Sequence, residues 1–268
     1  MLLLFMILAA AGSLLHCILS GYALLPFLGF FLLWSAVGFL GLSALYVLVA
    51  FIISLFMDKT KIWTEDRPFS RFLLKRTVEV ILFFCNVNVR VEGLEKVPDE
   101  TFLLVGNHRS GFDPMVAIKA LGKRRINFIS KPENFKIPLA GPIMASTGFL
   151  AIDREDDRKA LRTILAAADR MQRDVCSFGV YPEGTRSRTD EMLPFRNGCF
   201  KAAQRAKVPI VVASVHNSGQ VTKRMPFRST KVLLRICGVI DAETVAAKKT
   251  NELSDMVRTM LEKSLNNN

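Results

Sequence analysis

Through Met57 the chain has no Asp, Glu, Lys or Arg; after that point apolar positions recur at the short spacings of strands and helices. A charge-free run of that length far exceeds the roughly 20 apolar residues that span a bilayer once. Two spans fit it, about 2–19 and 27–57, with Ser20, Gly21 and Pro26 supplying the turn. The second span is longer than required and must tilt, kink or end early. A cleavable signal peptide does not fit, because no basic region precedes the apolar run and the run is too long. A hairpin buried in a soluble core would be expected to carry some charge over this length.

Beyond the apolar run the pattern changes to a mixture of periods. Residues 86–92 alternate polar side chains with valine, the period of a half-buried strand. Residues 101–106, 126–130, 176–181, 210–215 and 231–240 also read as strands. Helical stretches fall at 114–121, 156–173, 198–206 and 251–265. Strands alternating with helices predict an α/β sandwich around a largely parallel sheet. In such sheets ligands bind at loops leaving the carboxyl ends of strands. The terminal Asn266–Asn268 is expected to be disordered. The organisation is therefore a two-span helical hairpin over 1–57, a basic, amphipathic segment over 58–85, and an αβ domain over 86–268.

Charge sharpens this division. The net charge of +12 belongs entirely to the 211 residues (268 minus 57) that follow the hairpin. A basic domain beside an apolar anchor points to anionic membrane lipids, each Lys or Arg near the surface contributing about 1 kcal/mol. Nucleic acid is the other usual partner of a basic domain, but no finger, basic-zipper or RNA-recognition motif is present. Lys59, Lys61, Arg67, Arg71, Lys75 and Arg76 follow the hairpin directly, which predicts a cytoplasmic flank and an N-terminus on the same side. Residues 69–84 have an amphipathic pattern that suits a helix in the membrane interface. It suits a core helix of the domain equally well. The five cysteines are scattered, with no metal or disulfide spacing, and read as small buried residues.

Two loops carry candidate chemistry. The first is Asn107-His108-Arg109-Ser110-Gly111-Phe112-Asp113-Pro114, directly after a strand. Neutral imidazole can take a proton from an alcohol near neutral pH. A carboxylate five positions on, across a turn, can reach the other ring nitrogen, fix the tautomer and stabilise the imidazolium. By themselves, however, a His and an Asp in one loop are more often a surface residue and a helix cap. The second loop is Tyr181-Pro182-Glu183-Gly184-Thr185-Arg186-Ser187-Arg188. Pro182 blocks continuation of the strand, Gly184 permits close backbone approach, and Arg186 offers a planar fork for phosphate oxygens. Read alone, this is a basic surface loop. Ser110 beside His108 raises a serine-hydrolase reading, but there is no G-x-S-x-G elbow, and it reads better as a turn residue.

Taken together, Asn-His-x4-Asp and Pro-Glu-Gly-Thr-Arg, some 70 residues apart, resemble the 1-acylglycerol-3-phosphate (lysophosphatidic acid) acyltransferase family. Gly148-Phe149-Leu150-Ala151-Ile152-Asp153-Arg154 resembles that family's second block, and Val208-Pro209-Ile210-Val211 its fourth. The fourth usually carries a second Pro where Val212 and Ala213 stand here. The resemblance implies a glycerolipid acyltransferase-like αβ domain. It implies transfer of a fatty acyl group from acyl-CoA or acyl carrier protein to the sn-2 hydroxyl of 1-acylglycerol 3-phosphate, giving phosphatidic acid. It implies His108 as general base and Asp113 as its orienting partner, with direct attack on the thioester and no acyl-enzyme. Glu183, with Gly184 and Thr185 beside it, would organise the acceptor and the developing oxyanion. Arg154 and Arg186 are phosphate-binding candidates. Lys131 is a further one, by its place at the end of the 126–130 strand. No cofactor beyond the acyl-carrying co-substrate is expected, and no metal, since His108 and Asp113 lack further ligands. Another lysolipid or glycerol 3-phosphate is an alternative acceptor, and a silent, anchored lipid-binding protein is an alternative of another class.

Overall fold

A computed structural model describes residues 1–58, 61, 63–187, 189 and 191–266. Of the residues singled out above, Lys59, Arg188, Asn267 and Asn268 lie outside them. The chain divides into two compact units, Met1–Met57 and Asp58–Asn268.

The first unit is a pair of helices, α1 (Leu2–Leu19) and α2 (Leu24–Leu55), both long and apolar enough to cross a membrane. Pro26 is not in the turn but in the first turn of α2, where its missing N–H would have no helical partner anyway. With 32 residues α2 is about 48 Å long, against roughly 30 Å of hydrocarbon. The contact between the two helices is a stripe of small residues. Ala9, Ser13 and Cys17 recur every four positions on α1 and are buried. Ser13 Oγ donates to the Phe31 carbonyl at 2.9 Å. Most large apolar side chains on both helices stay exposed, the surface of a membrane hairpin rather than of a soluble core helix.

The second unit begins with α3 (Pro68–Phe84), β1 (Val87–Glu92), β2 (Leu103–Gly106), α4 (Asp113–Ala120), β3 (Ile126–Ser130), α5 (Ala140–Thr147) and β4 (Leu150–Ala151). It continues through α6 (Asp157–Gln172), β5 (Ser177–Val180), α7 (Lys201–Ala206), β6 (Ile210–His216), α8 (Val221–Arg224), β7 (Thr230–Ile240), α9 (Ala242–Ala247) and α10 (Thr250–Asn266). The sheet order is β1-β7-β6-β2-β5-β3-β4. Every neighbouring pair is parallel except β6 with β7. Five strands therefore point one way and the β1–β7 pair the other. Strand β4 and helices α5, α8 and α9 lacked a readable period because each is eight residues or fewer. Asn266 belongs to α10 instead of a disordered tail.

Alternation along the central strands sends Leu103, Val105, Phe178, Ile210 and Val212 into one core, filled from the other side by α6, α7, α9 and α10. Helix α3 packs on both α4 and α5, and α3 and α4 lie beside β1. Helix α3 buries Leu73, Leu74, Val78, Val80 and Leu82. Residues 58–85, set apart by sequence as an interfacial segment, thus fall within the second unit, and α3 is one of its core helices. Basic residues of this flank are engaged inside it. Buried Arg71 pairs with Asp66 at 2.6 Å and donates to the Ile126 carbonyl, Lys75 donates to the Gly122 carbonyl, and Arg76 pairs with Glu79.

Candidate active site

The site lies at the carboxyl ends of β2 and β5, adjacent strands at the centre of the sheet. β2 ends on Gly106, where any Cβ would sit 2.7 Å from the Ala213 carbonyl oxygen of β6. Only glycine lets the two strands meet so closely. Asn107 then extends the ladder with its side chain, donating to the Val215 carbonyl at 3.0 Å and accepting from the Val215 N–H at 2.8 Å. The chain leaves the sheet at His108 from a fixed point.

His108 Nδ1 lies 2.8 Å from Asp113 Oδ2. The same carboxylate oxygen accepts the backbone N–H groups of Arg109 and Ser110, each at 2.8 Å. Asp113 occupies the first turn of α4 ahead of Pro114, where an acidic side chain faces the helix's positive end. It is 0% exposed, whereas the imidazole is 17% exposed. A carboxylate at Nδ1 holds the ring as the Nδ1–H tautomer, leaving Nε2 as the basic nitrogen. Ser110 Oγ accepts from the Phe112 N–H, so Ser110 is a turn residue, as the sequence reading had it.

Glu183 is buried, and both its oxygens are occupied: Oε1 accepts the His108 N–H at 2.7 Å and Oε2 the Leu193 N–H at 2.9 Å. Its contacts hold the His108 loop in place. Ser187 N–H donates back to the His108 carbonyl at 2.9 Å, so the loops after β2 and β5 clasp each other. Thr185 and Arg186 lie on the exposed side of the second loop.

Sequence reasoning missed Tyr181. Its ring stacks on His108, with centroids 4.3 Å apart and 11° between planes, and on Phe128 at 5.8 Å. This column fixes the plane of the imidazole. Burial, and secondarily the charge on Asp113, push the Tyr181 hydroxyl well above its usual range, so it stays neutral. The one available signal was an aromatic residue directly before Pro182.

Below Tyr181 opens a cleft of about 480 Å³. Ile129, Ile152, Leu161, Ile164 and Val180 line it with apolar groups, and Arg154, Arg196 and Lys201 with cations, against one carboxylate, Asp157. Gly184 also lines it, at φ +70°, with the Arg196 side chain 3.1 Å from where a Cβ would be. Burial and the neighbouring Arg196 push Arg154 below its usual range. Glu133 offsets part of this, and Arg196 donates to the Arg154 backbone carbonyl at 3.4 Å. Cys199 faces the same cleft, but burial pushes its thiol up to about 12, and it supplies no thiolate near neutral pH. Lys131 is exposed just past β3 and is not among the residues lining the cleft. The structure thus brings together His108, Asp113 and Glu183, and places Arg154 and Gly184 in the adjoining cleft. Thr185, Arg186 and Lys131 stay outside it.

Comparison with known proteins fits this geometry. The Acyltransferase family model matches residues 88–216, from β1 to the end of β6. A 1-acyl-sn-glycerol-3-phosphate acyltransferase of Haemophilus influenzae is 32% identical over 166 residues, covering 61% of this chain and 68% of that one. The chain belongs to the 1-acyl-sn-glycerol-3-phosphate acyltransferase family. A member from Saccharomyces cerevisiae is 28% identical over 186 residues, 68% of this chain but only 61% of that relative's length. The fold of this family member matches the crystal structure of a 1-acyl-sn-glycerophosphate (LPA) acyltransferase from Thermotoga maritima. The TM-score is 0.64 at 23% identity, over 83% of this chain and 88% of that one; at that identity the likeness concerns the fold alone.

Proposed function

We propose that the protein transfers a fatty acyl group from a thioester, acyl-CoA or acyl carrier protein, to the sn-2 hydroxyl of 1-acylglycerol 3-phosphate. The observation that carries this reading is the His108–Asp113 pair, with Nε2 left basic, beside a cleft lined by apolar side chains and by three cations against one carboxylate. Nε2 takes the proton of the acceptor hydroxyl as its oxygen attacks the thioester carbonyl. Asp113 stabilises the imidazolium. The tetrahedral intermediate collapses with rupture of the C–S bond, and the departing thiolate takes the proton back, leaving ester and thiol. Glu183 keeps His108 in register. Arg154 and Arg196 hold the acceptor phosphate, while Thr185 and Arg186 meet anionic groups at the rim. The apolar hairpin makes this a membrane enzyme, and the basic flank supports a domain that faces the cytoplasm.

The test is transfer of labelled acyl groups by the reconstituted full chain to a panel of lysolipids and glycerol 3-phosphate. Lysophosphatidate is expected to be the best acceptor. His108→Ala should lose on the order of 100-fold or more in kcat with an unchanged melting temperature. Near-normal turnover by the folded variant would remove the mechanism.

A further inference from the structure

We propose that the segment joining α8 to β7 is a lipid-insertion wedge that presses the active-site end of the sheet onto an anionic bilayer. Phe227 in this segment is 93% exposed, and Met225 is exposed two positions earlier. A nearly bare Phe at a loop tip is costly in water and favourable in an acyl-chain boundary. Exposed Lys223, Arg224 and Arg228 surround it. Between Glu191 and Asp241 the chain has no acidic residue, so this stretch is cationic without counter-charges of its own. Apolar tip and basic collar together match a headgroup layer with acyl chains beneath it. A solitary exposed Phe would need no such explanation, but this one does not stand by itself. Phe83 and Phe84, at the end of α3, are exposed and share a shallow depression of about 530 Å³ with Pro226. Asn86 Nδ2 donates to the Pro226 carbonyl at 3.3 Å, which ties the loop to that helix end.

Topology places the wedge where it matters. The chain reaches it from the carboxyl end of β6, the strand paired with β2, by way of α8, and on that path a Cβ on Gly219 would lie 4.0 Å from Arg109, the residue after His108. An anchor holds a domain near a bilayer; a wedge beside the site would turn that site towards lipid. Only the consequence for catalysis rests on the acyl-transfer reading, whereas lipid contact does not.

The experiment uses the full chain with p-benzoylphenylalanine at position 227, reconstituted in vesicles of phosphatidylglycerol and phosphatidylcholine and irradiated. The expected result is a phospholipid adduct on the tryptic peptide 225–228, and none when the probe replaces exposed Asp255 on α10. No adduct at 227, or a cross-link to a second copy of the chain, overturns the proposal. In a second arm, Phe227→Ser should slow transfer to long-chain lysophosphatidate in bilayers by roughly fivefold to tenfold. It should leave a short-chain, water-soluble acceptor unaffected, and Phe227→Leu should recover most of the loss. Equal losses on both acceptors would mark a folding role and overturn it. If the parent chain transfers no acyl group at all, the acyl-transfer reading fails while the photolabel still decides the wedge.

Discussion

The two ends of the sheet use arginine in opposite ways. At the amino end, Arg71 pairs with Asp66 and donates to Ile126, and Arg170 donates to the Gly148 carbonyl at 2.6 Å beneath β4. These charges are buried but supplied with acceptors, and they hold strands and helices together. At the carboxyl end, Arg154 and Arg196 crowd each other in a cleft, and burial disfavours the charge on Arg154. Burial of a cation therefore does not by itself identify a site: Arg71 and Arg170 are buried and structural, whereas Arg154 is half-buried beside exposed Arg196 in the cleft.

This contrast can be broken by substitution. Arg71→Ala should have the largest effect on stability, about 3–5 kcal/mol, because it strands the Asp66 carboxylate in a half-buried place. Activity per folded molecule should be unaltered, as measured by denaturant unfolding alongside initial rates. A variant of normal stability would make Arg71 an ordinary surface charge.

Glu183→Gln sharpens the comparison, since Glu183 stands at the active end yet touches only backbone. The amide can accept one N–H but presents its own N–H to the other, costing about 1.5–3 kcal/mol. Both kcat and melting temperature should fall, with acceptor KM nearly constant. A change confined to KM would return Glu183 to direct contact with the acceptor.

Arg154→Gln should raise acceptor KM about tenfold, with little change in kcat, by loss of a charge-assisted phosphate contact. Because it also relieves crowding with Arg196, the substrate-free protein should melt no lower than the parent. Arg186→Gln in parallel tests the rim: a larger KM effect there than at Arg154 would move the phosphate out of the cleft.

The smallest effect concerns His216, at the end of β6, whose ring lies 2.9 Å from Ser214 Oγ. Burial, then the nearby Arg235, lower its affinity for a proton in the folded state. A depressed folded value means stability is present above the ordinary pKa of about 6.5 and is lost as pH falls below it towards the folded value. Between pH 7 and pH 5 the parent should lose more in Tm than His216→Gln, by a few degrees at most. Parallel pH profiles for the two proteins would exclude the linkage.

The sequence alone was enough to determine the hairpin and the six longer strands, and it made a pairing of His108 with Asp113 possible without deciding it. Each rests on short-range physics: absence of charge over a long run, period-2 or helical spacing, and a five-residue turn. Asp156, for example, caps α6 through its side chain within a residue of the expected start. What spacing could not decide was direction and neighbourhood. The same basic flank that predicts topology by composition turns out to hold Arg71, Lys75 and Arg76 in internal contacts. Glu183 and Arg186 sit three residues apart in one block, yet one faces the His108 backbone and the other faces water. Tyr181 reads as the end of a strand and becomes the ring behind the base. Arg196 joins Arg154 across 42 residues only because the loop after β5 folds over the cleft. Such relations are fixed when strands distant in sequence become neighbours in the sheet, a step no local period encodes.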